Sequence, residues 1–456
     1  LQDVNAGHSR LGASRGRAIE EGGIVFLCSG QVSQWAGMGT ELLRDEPVFR
    51  AAIEQCDAAL RKHASWSLIA ELESNQTASR LEHTEFAQPA IVAMEIALAR
   101  LWESWGIFPS AVIGHSVGEI AAAHIAGMIE LDEAMRIVSL RGKLMERATG
   151  YGRMAAIFAS AADVQRDIAR FGSALSLAAI NSPQSVVISG EPAAVEAMLE
   201  DCRARAIGCR PLPVDYAFHS AQMDPFSDEL TRALGIMSAR TSVIPMISTV
   251  SGSVVNDTDL DAAYWGRNIR LPVHFAGAIA EAITTGFSAF VEIGAHPVLA
   301  VSVQECITAS AHDAVVFPSL RRNQPERTTL LASLGSLYTR GASVDWSAVY
   351  RGPVAVVDLP AYPYQRQRYW VQTAPVVTPG AQRPLRPFLG KRVQSPLLSG
   401  IGFESQISLD TLPFLADHRI GESTILPMTG FIEIVLEAVE EISGARDVVL
   451  EDLVVQ

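Results

Sequence analysis

The chain lacks a run of apolar residues long enough to cross a bilayer. The stretch 111–131 comes nearest and is broken by His115, Glu119, His124 and Glu130, whereas a spanning helix needs about twenty predominantly apolar residues. A helical membrane protein is therefore excluded as a reading. The first residues show no basic segment followed by an apolar one, so no secretory signal is read. Cysteine is scarce and unpatterned: Cys28, Cys56, Cys202, Cys209 and Cys306 stand at unrelated spacings without a C-x-x-C pair. That predicts reduced thiols, a cytoplasmic location and no metal cluster. Basic residues are also in deficit. With 36 Lys and Arg against 50 Asp and Glu, the net charge is −14, which argues against nucleic acid and anionic membranes as partners. No internal repeat is visible.

What is present is a long, apolar-rich chain. At 456 residues and 48% hydrophobic it has material for about three domains. It opens on Leu1 rather than methionine, which reads as a piece excised from a longer polypeptide. Its most informative stretch is Gly114-His115-Ser116-Val117-Gly118, directly after the apolar run Ala111-Val112-Ile113. Glycines two residues to either side let the backbone make a tight strand-to-helix turn. Such a turn exposes the Ser116 hydroxyl and frees the Val117 N–H for an oxyanion. A helix beginning at Glu119 and stopped by Gly127 follows.

From Asp132, read as an N-cap, an amphipathic helix carries Ala134, Ile137, Val138, Leu144, Met145 and Ala148 on one stripe, with Arg141 on the same stripe. An inward arginine needs an anion or must snorkel outward, and a structural ion pair would also account for it. Beside an activated serine, its two-pronged donor face suits a substrate with a free carboxylate. A base for Ser116 must come from elsewhere among ten histidines. His219 follows a proline-punctuated strand and precedes a helix, a loop position from which a side chain can reach another element.

The elements alternate as a doubly wound α/β sheet would. Strands are read over 24–27, 111–113, 243–248 and 288–293, and helices over 41–62, 89–104 and 275–284. Between Arg153 and Val214 the order becomes β-α-β-β-α-β, with strands at 154–158, 175–180, 185–189 and 207–214 and helices at 161–171 and 192–206. That order is a ferredoxin-like unit. It places Ser116 on the larger part and His219 where the chain returns from the smaller, with the active-site cleft between them.

Gly30-Gln31-Val32-Ser33-Gln34-Trp35-Ala36-Gly37-Met38-Gly39, Gln88-Pro89, Gly114-His115-Ser116-Val117-Gly118-Glu119, Arg141-Gly142-Lys143, Tyr216-Ala217-Phe218-His219-Ser220 and Gly294-Ala295-His296-Pro297-Val298-Leu299 occur in that order. Together they strongly resemble the acyltransferase domain of modular type I polyketide synthases. Leu359 through Trp370 resembles the linker after that domain. Phe388-Leu389-Gly390 and Phe414 through Pro427 resemble the start of a dehydratase domain.

The resemblance implies a hydrolase-like parallel sheet with an inserted ferredoxin-like subdomain, followed by a partial hotdog-type segment. The boundaries expected are 1–22 linker, 23–152 and 215–320 large subdomain, 153–214 small subdomain, 321–372 post-acyltransferase linker, 373–386 flexible joint and 387–456 dehydratase fragment. It implies a serine–histidine dyad of Ser116 and His219, with the Gln31 N–H joining Val117 in the oxyanion hole. Arg141 would grip the extender's carboxylate with Gln88 in support. His115, Tyr216 and Phe218 would line the substrate site, and Asn181 would help on the His219 side.

The reaction implied is ping-pong transfer of an acyl group from coenzyme A, through a seryl ester, to the phosphopantetheine thiol of an acyl carrier protein. No cofactor or metal is bound in this scheme. The partners implied are that carrier protein and adjacent ketosynthase and dehydratase domains. Arg321-Arg322 and the 366–368 region are candidate basic patches for an acidic carrier. Phe218 and Val117 point to malonyl as the extender, whereas Tyr216 is commoner in methylmalonyl enzymes, so a methylmalonyl transferase is the alternative. A serine thioesterase or hydrolase is the other reading; α/β-hydrolases place an acid between serine and histidine in chain order and need no buried arginine. In the last segment His418 matches the dehydratase base and is expected to be inert, with Glu422 standing where glycine is usual.

Overall fold

The computed structural model describes residues 22–352 apart from 238 and 257, positions 14, 16–18, 358, 361–362 and 364, and residues 386–454 apart from 394–395 and 397–398. Most of the 1–22 linker, most of 359–370 with its 366–368 basic patch, and the 373–385 part of the joint lie outside the described residues. The chain divides into two compact units, Leu1–Val356 and Val357–Gln456.

The first unit is built on a parallel sheet of β1 (Ile24–Cys28), β2 (Ala111–Gly114), β7 (Met246–Ile247), β8 (Ala289–Ile293) and β9 (Val315–Pro318), in the order β7-β2-β1-β8-β9. These strands read as short apolar runs because helices cover both faces, and β2 and β8 are buried at every position. The register sets Cys28 of β1 beside Gly114 of β2. The loops that leave their carboxyl ends, 29–39 and 115–117, therefore emerge side by side, where open α/β sheets place their ligands.

The inserted unit has β3 (Arg153–Ile157), β4 (Leu175–Ser182), β5 (Ser185–Gly190) and β6 (Cys209–Pro211), all antiparallel in the order β4-β5-β3-β6. With helices Ala161–Ile168 and Pro192–Ala204 on one side, its own core gathers Val164, Ile168, Ile188, Val195 and Met198. This is the ferredoxin-like order.

Several boundaries differ from the sequence expectation. The last small-sheet strand ends at Pro211, not Val214, because Pro211 and Pro213 bring no N–H to the ladder. The strand expected over 243–248 shrinks to Met246–Ile247, and Pro245 contributes only its carbonyl to Val112. The helix expected from Pro89 starts at Thr84 and carries Pro89 inside it. Asp132 is not the cap of the Arg141 helix. That helix begins at Leu131 after Glu130, and Asp132 sits in its first turn, where a carboxylate still favours the positive helix end.

Part of the stretch assigned to a linker from 321 is integral to the first unit. Leu330, Leu334 and Leu337 of the helix Glu326–Thr339 pack into the main core. Glu326 accepts the N–H groups of Gly39, Glu41 and Leu42 at the start of the helix Thr40–Asp45, supplying the acceptor its own cap lacks.

In the second unit, β10 (Lys391–Val393) pairs with β11 (Gly402–Glu404), and β12 (Arg419–Ile420) with β13 (Ser423–Thr424), both antiparallel. Glu437 of the helix Met428–Ser443 accepts the Leu389 N–H at 2.8 Å.

Glu95 lies in the buried face of the helix Thr84–Ser104. Its carboxyl is held well above the ordinary 4.5, chiefly by burial and further by nearby Glu292, which favours the neutral acid. In the unfolded chain the same group ionises near 4.5, so stability is lost as pH climbs from there toward the raised folded value. Glu95→Gln is expected to raise stability more at pH 8 than at pH 5, because only the glutamate resists ionisation in the fold. Denaturant midpoints at the two pH values check this, and a gain of equal size at both contradicts it.

Candidate active site

Ser116 sits in the turn between β2 and the helix Gly118–Ile125 with φ of 55°, a left-handed conformation that a non-glycine residue adopts only where its surroundings enforce it. The flanking glycines are required by close approach. A Cβ at Gly118 would run into the carbonyl oxygens of Cys28 and Ser29, and one at Gly114 into the Glu119 backbone. The turn thereby holds the Ser116 side chain part-exposed at the sheet's carboxyl edge.

Two side chains meet the Ser116 hydroxyl. His219 Nε2 lies 2.8 Å from Oγ, and Arg141 Nη2 donates to the same oxygen at 3.0 Å. His219 is itself left-handed, φ 59°, and 5% exposed. Its Nδ1 lies 2.9 Å from the Leu271 carbonyl. A carbonyl only accepts, so Nδ1 carries the proton and Nε2 is left with the lone pair facing Ser116. Burial, and next the Arg141 charge, push the His219 pKa down to about 3. The ring is therefore neutral in the resting site.

Arg141 stands on the stripe the sequence placed it on, among buried Ile137, Val138, Leu144 and Met145, and is 1% exposed. Burial lowers its pKa to about 9, so at neutral pH it remains a cation. Its Nη2 also donates to Asn268 Oδ1 at 3.3 Å, and its buried Nε has no partner. It forms no ion pair among the described residues.

The Val117 N–H lies at the start of the helix Gly118–Ile125, and neither it nor the Gln31 N–H donates to a backbone carbonyl in the surrounding turns. Gln31 and Gln88 are linked through their amides at 3.2 Å, and Gln31 Nε2 donates to Thr84 Oγ1. Gln88 Nε2 also faces Met145 Sδ at 3.5 Å. Gln88 therefore meets Gln31 and makes no hydrogen bond to Arg141. Tyr216 and Phe218 stack with ring centroids 3.7 Å apart and 12° between planes, and both are buried.

Asn181 does not join His219. Its Oδ1 lies 3.0 Å from Nε2 of His115, because β4 ends beside the turn after β2 rather than beside the His219 loop. This contact ties the inserted subdomain to the nucleophile turn, and burial lowers the His115 pKa so that the ring is a neutral donor. His219 is steadied instead by the segment 269–271: its N–H donates to the Ile269 carbonyl, its ring to that of Leu271. Val273, two residues on, pairs with β4 through Ala178 and Ile180.

Sequence reasoning missed Asn268 and the part played by Glu119. Glu119 Oε2 accepts from Asn268 Nδ2 at 2.8 Å and from the Tyr264 hydroxyl at 2.7 Å, while Oε1 accepts from Thr249. A signal was available. Tyr264, Trp265, Asn268 and Ile269 form one buried helical stripe, and an amide on such a stripe needs partners.

Of the basic pair proposed for carrier docking, Arg322 donates to the Gln34 carbonyl at 3.0 Å, and Arg321 is exposed. In the second unit His418 is exposed, with Nδ1 3.2 Å from the Ile425 carbonyl. The turn before β13 closes with Gly421 at φ 59°, so Glu422 need not adopt a left-handed backbone. Among the described residues no helix is long and apolar enough to cross a membrane.

Residues 25–344 match the family described as acyl transferase domain, and residues 386–456 that described as polyketide synthase dehydratase domain. The polyketide synthase GfsE of Streptomyces halstedii is 39% identical over 460 residues, covering 97% of this chain and 12% of that protein. The crystal structure of the acyltransferase domain from module 8 of the salinomycin polyketide synthase has a TM-score of 0.74 at 38% identity, covering 76% of this chain and 82% of that one. A loading acyltransferase from the avermectin modular polyketide synthase gives 0.66 at 36% identity, covering 69% of this chain and 100% of that one. The chain spans between about a twentieth and a quarter of the length of the curated relatives it matches.

Proposed function

This chain belongs to the acyl transferase domain family of polyketide synthases and continues into a polyketide synthase dehydratase segment, and from that premise we propose that it moves a malonyl group from coenzyme A to an acyl carrier protein through an ester on Ser116. The observation that carries the reading is the convergence on one oxygen: His219 Nε2 at 2.8 Å and Arg141 Nη2 at 3.0 Å from Ser116 Oγ.

In this reading His219 takes the Ser116 proton as Oγ attacks the thioester carbonyl, and the same proton leaves with the coenzyme A thiolate as the C–S bond breaks. The N–H groups of Val117 and Gln31 hold the oxyanion, the first aided by the helix start behind it. In the second half the carrier's phosphopantetheine thiol gives its proton to His219 and attacks the seryl ester, and His219 returns the proton to Ser116. Arg141 holds the extender's carboxylate. Mutidomain synthases of the matched kind supply the carrier, ketosynthase and dehydratase partners.

The test is intact-mass analysis after incubation with malonyl-, methylmalonyl- and acetyl-coenzyme A. Wild type is expected to gain one malonyl mass on the peptide containing Ser116, and Ser116→Ala none. An adduct that persists in Ser116→Ala overturns the nucleophile.

Malonyl is favoured over methylmalonyl in this reading because the buried Phe218 ring, stacked on Tyr216, would crowd an α-methyl group. Phe218→Ser is expected to raise the methylmalonyl-to-malonyl ratio of kcat/KM about 10-fold, the worth of one methyl-sized relief. The two thioesters in direct competition report it. An unchanged ratio places extender choice elsewhere.

A further inference from the structure

Among the described residues Arg141 is a buried cation without a direct carboxylate partner. Glu119, whose charge acts on it, is linked to it through Asn268. Both ends of the Asn268 amide are engaged: Oδ1 accepts from Arg141 Nη2 at 3.3 Å, and Nδ2 donates to Glu119 Oε2 at 2.8 Å and to the Ser116 carbonyl at 3.1 Å. Its orientation follows from chemistry, since the acceptor must face the guanidinium and the donor the carboxylate. Glu119 in turn is fixed by the Tyr264 hydroxyl and by Thr249.

An arginine paired directly with a carboxylate would have its two-pronged face filled. Interposing an amide steadies the charge through Nη2, which donates to Ser116 and Asn268, and leaves Nη1 without a hydrogen bond among the described residues, whereas the buried Nε is unpartnered but closed off. The same amide grips the peptide of Ser116, so one side chain sets the distance between the carboxylate reader and the nucleophile.

Resting on the reading above, we infer that Asn268, anchored by Glu119, is the positioning residue that keeps the Arg141 guanidinium open and in register with Ser116, and so makes acylation depend on a carboxylate in the acyl group.

The inference separates from a merely structural role because structural damage lowers all substrates together, whereas loss of this register lowers only those with a carboxylate. Asn268→Asp fills the guanidinium face with a carboxylate of its own; the malonyl-to-acetyl ratio of kcat/KM is expected to fall about 100-fold, mainly through KM for malonyl-coenzyme A. Asn268→Ala leaves Arg141 unheld, and the ratio is expected to fall about 10-fold. Asn268→Ser, with a smaller acceptor, is expected to lie between Asn268→Ala and wild type. Thermal melts on the full chain identify the folded variants, and any one folded variant with the wild-type ratio overturns the inference. Wild type that takes no malonyl group overturns the proposed function itself, a result distinct from an unchanged ratio in an enzyme that does.

Discussion

Arg141→Ala is expected to lower kcat/KM for malonyl-coenzyme A by about 2–5 kcal/mol, the cost of leaving a buried, hydrogen-bonded charge without its partner. The same change is expected to raise the relative rate with acetyl-coenzyme A, which brings no carboxylate. The physical reason is the placement of Arg141 at 1% exposure with its Nε unpartnered. A carboxylate that enters this pocket loses its water, and only the guanidinium replaces that water. Arg141→Lys should recover little, because an ammonium on a flexible stem cannot present the parallel donors of the guanidinium. Steady-state kinetics with both thioesters decide the matter. Equal losses on the two substrates would mark Arg141 as a structural residue.

His219→Ala is expected to slow acylation of Ser116 by about 10²–10⁴-fold, the usual contribution of a positioned general base. The pH dependence adds a sharper test. The His219 pKa is lowered from 6.5 to about 3, so the free enzyme keeps its base neutral through mildly acidic pH. The limb of kcat/KM that reports the free enzyme should then lie well below pH 6. A carboxylate bound to Arg141 offsets the second cause of the lowering, so the limb in kcat should sit at higher pH than the limb in kcat/KM. Arg141→Ala removes the same charge permanently and should move the kcat/KM limb upward. Stability follows the same sign. The folded pKa lies below the unfolded 6.5, so the contribution of a neutral His219 is complete above pH 6.5 and is lost as pH falls toward 3. Rapid-quench acylation between pH 4 and 8 shows whether a kcat/KM limb appears near 6.5, and such a limb in wild type contradicts this account.

The sequence by itself determined the pieces whose signal is local. The apolar run before Gly114 and the paired glycines dictated the nucleophile turn, because only residues without a Cβ fit against the Cys28 and Ser29 carbonyls and the Glu119 backbone. The 3.6-residue stripe put Arg141 on the apolar face of its helix, while whether it would snorkel outward or stay buried was decided by the packing. The strand and helix order from Arg153 onward dictated the ferredoxin-like insert. Boundaries at prolines were less legible, because Pro211, Pro245 and Pro89 change hydrogen bonding without changing hydrophobic pattern.

Tertiary structure alone decided who meets whom. Asn181 lies near the end of β4, just before a turn, and nothing in its neighbours says that it will face His115 rather than His219; the antiparallel pairing of β4 with β5 and its bridge to Val273 settle that. The carbonyl that fixes the His219 tautomer belongs to Leu271, 52 positions away, and backbone carbonyls carry no sequence signature. Asn268 and Glu119 are 149 positions apart and become one network only when the helix Ala262–Arg270 packs against the nucleophile turn. Local periodicity reports which face of an element is buried; it holds no information about the partner that buries it, because that partner is chosen by the packing of the whole sheet.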